Sequence, residues 1–138
     1  MCIKSGKAMK KTLLIIEDDN EIVSIVREEA QKLGFETLTF LPLSNLKDEI
    51  NEQLSDFCKE RILDFALLDF ELWSGLKGYD LAKTLVDSNI KFIAFSSSHE
   101  KNSMLIKRGA ISAIHKDYNS RGFDKQKVAN GLAELLKM

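Results

Sequence analysis

Two short uninterrupted apolar runs, Leu13-Leu14-Ile15-Ile16 and Phe65-Ala66-Leu67-Leu68, constrain this chain more than any other feature. Runs of this length, bounded by polar residues, read as strands buried on both faces of a parallel sheet. Such strands have no polar side to offer water, so they require helices packed on each face. Each run ends in acid: Glu17-Asp18-Asp19 after the first and Asp69 after the second. Carboxylates in those positions lie at the carboxyl edge of the sheet, where open α/β sheets bind their ligands.

The rest of the chain fits that frame, because helical and strand patterns alternate as βαβ units do. After the first strand, Ile22, Ile25, Val26, Ala30 and Leu33 share one helical face, with Asn20 as candidate N-cap and Gly34 as the stop. A second strand covers Glu36 to Phe40, with Pro42 at its exit. Leu46, Ile50, Leu54 and Phe57 then predict a helix from Ser44 to Lys59. Strand three is Asp64 to Asp69, followed by a loop with Gly75 and Gly78 and a short helix through Leu81, Ala82, Leu85 and Val86. Lys91 to Ser96 forms strand four. A brief helix through Met104, Leu105 and Ile106 ends at Gly109. Ala113 to Lys116 forms strand five, and a last helix uses Val128, Leu132, Leu135 and Leu136. The expectation is one α/β domain over residues 11–138, with residues 1–10 a flexible N-terminal tail.

Composition narrows the function classes. At 138 residues with 44% hydrophobic content, the chain has enough apolar surface for one full core. A net charge of −1 gives no basic field, so direct nucleic-acid binding is not expected. No run approaches the ~20 apolar residues of a membrane span, and the lysine-rich start has no apolar signal-peptide core. Cys2 and Cys58 are too few for a disulfide framework. These features together read as a soluble protein of a reducing cytoplasm.

The carboxylates carry the chemistry. Glu17, Asp18 and Asp69 crowded at neighbouring strand ends repel one another unless a proton or a cation intervenes. Hard oxygen donors suit Mg²⁺, which keeps several waters and often a phosphate oxygen. Adding a hydroxyl at Ser96 and an ammonium at Lys116 gives an acid pair after strand one and an Asp, a Ser and a Lys at three later strand ends. Each residue has a bland reading: acids cap helices, serines form turns, and lysines are solvated. Their joint order is the signal. His115 reads as a packed or surface histidine, His99 as solvated in a polar loop, and Phe70 and Trp73 as loop anchors or gates beside the site.

This constellation resembles the receiver domain of bacterial two-component response regulators, over nearly the whole chain after Lys10. The resemblance implies a flavodoxin-like, doubly wound five-stranded parallel sheet of order 2-1-3-4-5, with helices on both faces. It implies that Asp69 accepts a phosphoryl group as a carboxylate nucleophile, that Asp18 and Asp69 bind Mg²⁺ directly and Glu17 through water, and that the backbone carbonyl of Glu71 completes the metal shell. Ser96 matches the switch hydroxyl and Lys116 the phosphoryl-pairing lysine. The implied partners are a histidine kinase or phosphotransfer protein and a downstream target protein, with a monomer or weak dimer as the assembly and no catalytic activity of its own.

The chain also departs from that family. The loop from Asp69 to Gly78 is one residue longer than usual, with Trp73-Ser74 where proline is common. Asp117 replaces the frequent proline after Lys116, which counts against a cis peptide, since a non-proline cis bond costs about 3 kcal/mol. Ala113 stands where a switch aromatic is common. Helices three and four are short, and helix two is extended. Two rivals follow: a receiver-like interaction module that is never phosphorylated, and a small Mg²⁺-dependent aspartyl phosphatase resembling haloacid dehalogenases. The phosphatase would want a second Asp two residues after the nucleophile, where this chain has Glu71.

Overall fold

A computed structural model describes residues 10–138; the expectations for residues 1–9, including Cys2, lie outside them. The elements run β1 (Thr12–Ile16), α1 (Asn20–Lys32), β2 (Glu36–Thr39), α2 (Lys47–Lys59), β3 (Phe65–Asp69), a 3-10 turn (Trp73–Gly75), α3 (Tyr79–Asp87), β4 (Lys91–Ser96), α4 (His99–Lys107), β5 (Ser112–His115), β6 (Tyr118–Asn119), β7 (Gly122–Phe123) and α5 (Lys125–Leu135). The main sheet is parallel throughout, in the order β2-β1-β3-β4-β5. That is the doubly wound arrangement expected, and its switch point falls between β1 and β3.

Strand alternation divides the core in two. Leu14, Ile16, Ala66, Leu68, Phe92 and Ala94 face α2, α3 and α4, meeting Ile50, Leu54, Leu81, Leu85 and Leu105. Leu13, Ile15, Phe65, Leu67, Ile93 and Phe95 face α1 and α5, meeting Ile22, Val26, Ala30, Val128 and Leu132. Burying each such aliphatic side chain stabilises the fold by ~1.5–3 kcal/mol. The central strands are apolar on both sides because both sides are covered. Leu136, by contrast, lies beyond α5 and is exposed.

Local signals account for most helix ends. Gly34 adopts a left-handed φ of +95°, and its N–H bonds the Gln31 carbonyl while Phe35 N–H bonds that of Ala30; only glycine takes that conformation freely. The start of α1 differs from expectation. Asp19 is the cap, its Oδ1 accepting from Glu21 N at 2.9 Å and Ile22 N at 3.3 Å, and Asn20 is the first helical residue. Helix α2 begins at Lys47 rather than Ser44. Ser44 Oγ instead accepts from Leu46 N and donates to Glu49 Oε1, holding a turn ahead of the helix.

Two features are absent from the sequence reading. A small antiparallel hairpin, β6–β7, fills the connection between β5 and α5. His99, expected in a polar loop, opens α4 and stacks on the His115 ring at 4.0 Å with 13° between the planes. None of the described peptide bonds is cis, the one after Lys116 included. Among the described residues no helix is long and apolar enough to cross a membrane.

Candidate functional site

Parallel pairing aligns the carboxyl ends of β1, β3, β4 and β5. Glu17 follows the last residue of β1, Asp69 ends β3, Ser96 ends β4 and Lys116 follows β5. Glu17, Asp18 and Asp69 converge so that one carboxylate oxygen from each lies within 4.8 Å of the others. Glu17 and Asp69 are only 2% and 4% exposed, whereas Asp18 opens to solvent. Because Asp19 caps α1, neither Glu17 nor Asp18 is occupied with that task.

Lys116 joins the cluster from β5. Its ammonium lies 2.7 Å from Asp69 Oδ1 and 2.8 Å from Glu17 Oε2, and 4.8 Å from the centre of the Phe95 ring. The Glu17 contact is an ion pair without hydrogen-bond alignment, so this buried Oε2 has no directed donor. Asp69 Oδ1 is better held, accepting also from Phe70 N at 2.9 Å. One ammonium therefore serves two buried carboxyl groups, while the third, Asp18, opens to solvent. Burial, reinforced by the Asp69 charge, pushes the Glu17 carboxyl up to about 8. Burial raises Asp69 as well, against the pull of Lys116. Lys116 is raised too: burial, the largest influence, lowers it, but the charges of Asp69 and Glu17 outweigh that.

That charge pattern fits a divalent cation. Three clustered hard-oxygen donors and an open Asp18 side suit Mg²⁺ with retained waters. The Glu71 side chain is not part of the cluster. It pairs with Lys101 of α4 at 2.6 Å and with Lys77 at 2.5 Å, and these two lysines hold its carboxyl below the ordinary value.

The loop between β3 and α3 is a tight return. Leu72 N bonds the Leu76 carbonyl, Gly78 N bonds that of Phe70 at 2.6 Å, and Glu71 bridges Lys77. Gly78 is pressed against the carbonyl of Asp69, so that a Cβ there would collide with backbone. The aromatic residues anchor this loop: Phe70 is buried edge-on to Tyr79, and Trp73 packs edge-on to Phe40.

Ser96 is 5% exposed, and its Oγ accepts from Ser98 N at 3.1 Å. Its carbonyl accepts from Lys116 N at 2.9 Å and from Asn102 Nδ2 at 3.3 Å. The sequence reading missed Asn102, although a polar residue one turn before the buried Leu105 is a detectable interruption of an apolar stripe. It also missed the hairpin, whose Phe123 covers Phe95 and whose Tyr118 stands edge-on to Phe123. His115 bonds Asp117 at 2.8 Å, and Lys127 pairs with the same carboxylate. A cavity of about 740 Å³ lies by β2 among Phe35, Leu38 and Ile62, away from the carboxylates.

The sheet order and helix placement are those of the flavodoxin-like fold that solved response regulator receiver domains adopt. Solved structures agree over nearly the full chain. A response regulator receiver domain protein of Methanospirillum hungatei is 24% identical, with a TM-score of 0.63 over 94% of this chain and 98% of that one. The receiver domain of a Francisella response regulator is 18% identical, with a TM-score of 0.68 over 93% and 98%. A chemotaxis response regulator of Vibrio cholerae is 14% identical, with a TM-score of 0.71 over 92% and 99%. No family model and no curated protein matches the sequence.

Proposed function

We propose that this chain is a response regulator receiver module over residues 11–138 that accepts a phosphoryl group on Asp69 from a phosphohistidine of a histidine kinase or phosphotransfer protein. The observation that carries the reading is the contact of Lys116 with both Asp69 and Glu17 beside an open Asp18. Lys116 and Phe70 N bond Asp69 Oδ1, which leaves Oδ2 as the oxygen to attack in this reading. The P–O bond to Asp69 forms as the donor's P–N bond breaks, and the imidazole departs with the electron pair. Asp18 and Asp69 would hold Mg²⁺ directly, Glu17 through water, with the Glu71 backbone carbonyl as a further ligand. Bound there, the ion supplies positive charge to the phosphoryl oxygens. Lys116 pairs with one phosphoryl oxygen and Ser96 Oγ–H donates to another. Phosphoryl transfer depends on such positioning and charge neutralisation.

Output would run through contact with a downstream target protein or through phosphorelay, without direct nucleic-acid binding or membrane insertion, in the cytoplasm. The phosphatase reading is weakened by Glu71, whose carboxylate turns to Lys77 and Lys101 rather than toward Asp69. The test is intact mass after incubation with acetyl phosphate and Mg²⁺. Wild type should gain one phosphoryl group and Asp69→Asn none. Modification of Asp69→Asn would remove Asp69 as the acceptor, and an unmodified wild type would favour an interaction module.

A further inference from the structure

Four polar side chains are buried among the described residues: Glu17, Asp69, Ser96 and Asn102. The first three belong to the site just described. Asn102 stands on α4, 5% exposed, and the chemistry assigned to Asp69 makes no use of it. Its Nδ2 donates to the Ser96 carbonyl at 3.3 Å and to the Ile114 carbonyl at 3.4 Å, while its buried Oδ1 has no hydrogen-bond partner. A buried amide oxygen without a donor destabilises the fold, so a leucine of similar volume would serve packing better. The polar residue needs another explanation.

Its two acceptors supply one. The Ser96 carbonyl is shared with Lys116 N, and the Lys116 ammonium touches Asp69 and Glu17. Ile114 lies in β5, two residues before Lys116, which follows the strand. One amide therefore fastens α4 to the tips of β4 and β5 beside the two residues that would meet a phosphoryl group. Helix α4 has few other ties: of its nine residues only Asn102 and Leu105 are buried, Met104 and Ile106 face solvent, and Lys101 pairs with Glu71 at the surface. Ala113 has no ring with which to couple β5 to α4, whereas His99 stacked on His115 adds a second link between them.

We propose that Asn102 is a positioning residue that transmits the state of the Asp69 site to α4, by bonding the carbonyls of Ser96 and Ile114. The proposal rests on the phosphoryl-acceptor reading of Asp69. When Ser96 Oγ and the Lys116 ammonium engage their separate phosphoryl oxygens, the tips of β4 and β5 shift, and the amide carries α4 with them. An apolar side chain at 102 would pack but would have no directional tie.

The experiment compares amide chemical shifts of wild type and Asn102→Leu with and without beryllofluoride and Mg²⁺, alongside thermal midpoints. In wild type, changes should reach residues 96–98, 114–116 and all of 99–107. In Asn102→Leu the changes near Asp69 should persist while those over 99–107 shrink by about five-fold or more, the lower end of ordinary inter-site coupling. The thermal midpoint should be equal or higher, which a loss of mere structural support would not give. If leucine overfills the site, Asn102→Ala should show the same confinement. Undiminished changes over 99–107 in a folded variant, or a wild type in which α4 stays silent while Asp69 responds, would overturn the role of Asn102 alone. A wild type with no response anywhere would overturn the reading of Asp69, and this role with it.

Discussion

Lys116 meets Glu17 at 2.8 Å with both side chains withdrawn from solvent, yet the ammonium does not keep the carboxyl acidic. Burial and the charge of Asp69 prevail, and Glu17 rises from 4.5 to about 8. The folded state thus holds this proton more tightly than the unfolded chain. The stabilisation is complete below the unfolded value and disappears as pH climbs through about 8. Asp69 is raised and acts in the same direction. Lys116 is raised above 10.5, so its contribution is lost only at higher pH. Metal-free protein should therefore have a lower urea midpoint at about pH 8.5 than at about pH 5.5, and Glu17→Gln should flatten the difference. Equal slopes in the two proteins would show that Glu17 titrates normally.

Magnesium should reverse that loss through Asp18, the open member of the cluster. A ligand that binds only the folded state raises stability with its concentration. Asp18→Ala removes an exposed side chain, so metal-free stability should move by no more than about 0.5 kcal/mol. The rise in urea midpoint on adding Mg²⁺ should vanish. A variant protected by Mg²⁺ as well as wild type would locate the metal elsewhere.

Helix α1 offers a test independent of the site's chemistry. Asp19 Oδ1 holds two N–H groups of its first turn, so Asp19→Ala should cost ~0.5–2 kcal/mol. Asn20 is the first helical residue and is exposed, and Asn20→Ala should stay within about 0.5 kcal/mol. Chemical denaturation of the two variants decides the order, and a larger loss for Asn20→Ala would return the cap to that residue.

The centre of the sheet was legible because β1, β3 and β4 are apolar on both faces. Leu13–Ile16 and Phe65–Leu68 are too short for helices and are bounded by polar residues, so they read as buried strands, and the positions of Glu17, Asp18 and Asp69 follow from theirs. Asn20 was misread because Asp19 and Asn20 are both good caps, and only backbone geometry chooses between them. The β6–β7 hairpin has two-residue strands, too short for any alternation to register. The stacking of His99 on His115 joins residues sixteen positions apart, a relation that exists only once α4 lies beside β5. The Glu71 side chain was equally invisible. Its partner Lys101 is thirty residues away in sequence and reaches it because α4 packs beside the β3–α3 loop.

Gly78 gives the sharpest test of how that loop holds the acceptor. Its backbone is in an ordinary right-handed conformation, so the need for glycine comes from proximity, not from dihedral freedom. A Cβ would drive into the Asp69 carbonyl oxygen and lie 3.2 Å from Phe70 Cα, both of which are backbone and cannot swing aside. The Gly78 N–H bond to the Phe70 carbonyl at 2.6 Å blocks the loop's retreat. Gly78→Ala should therefore destabilise by ~1–3 kcal/mol, the usual range for overpacking. It should also slow labelling by acetyl phosphate per folded molecule, because Asp69 must move with its own carbonyl. Gly75→Ala is the control: its Cβ meets open space, but its φ of +78° strains any other residue. That variant should lose stability while labelling at the wild-type rate once corrected for unfolded protein. If Gly78→Ala labels as fast as Gly75→Ala, the close approach of the loop does not position Asp69.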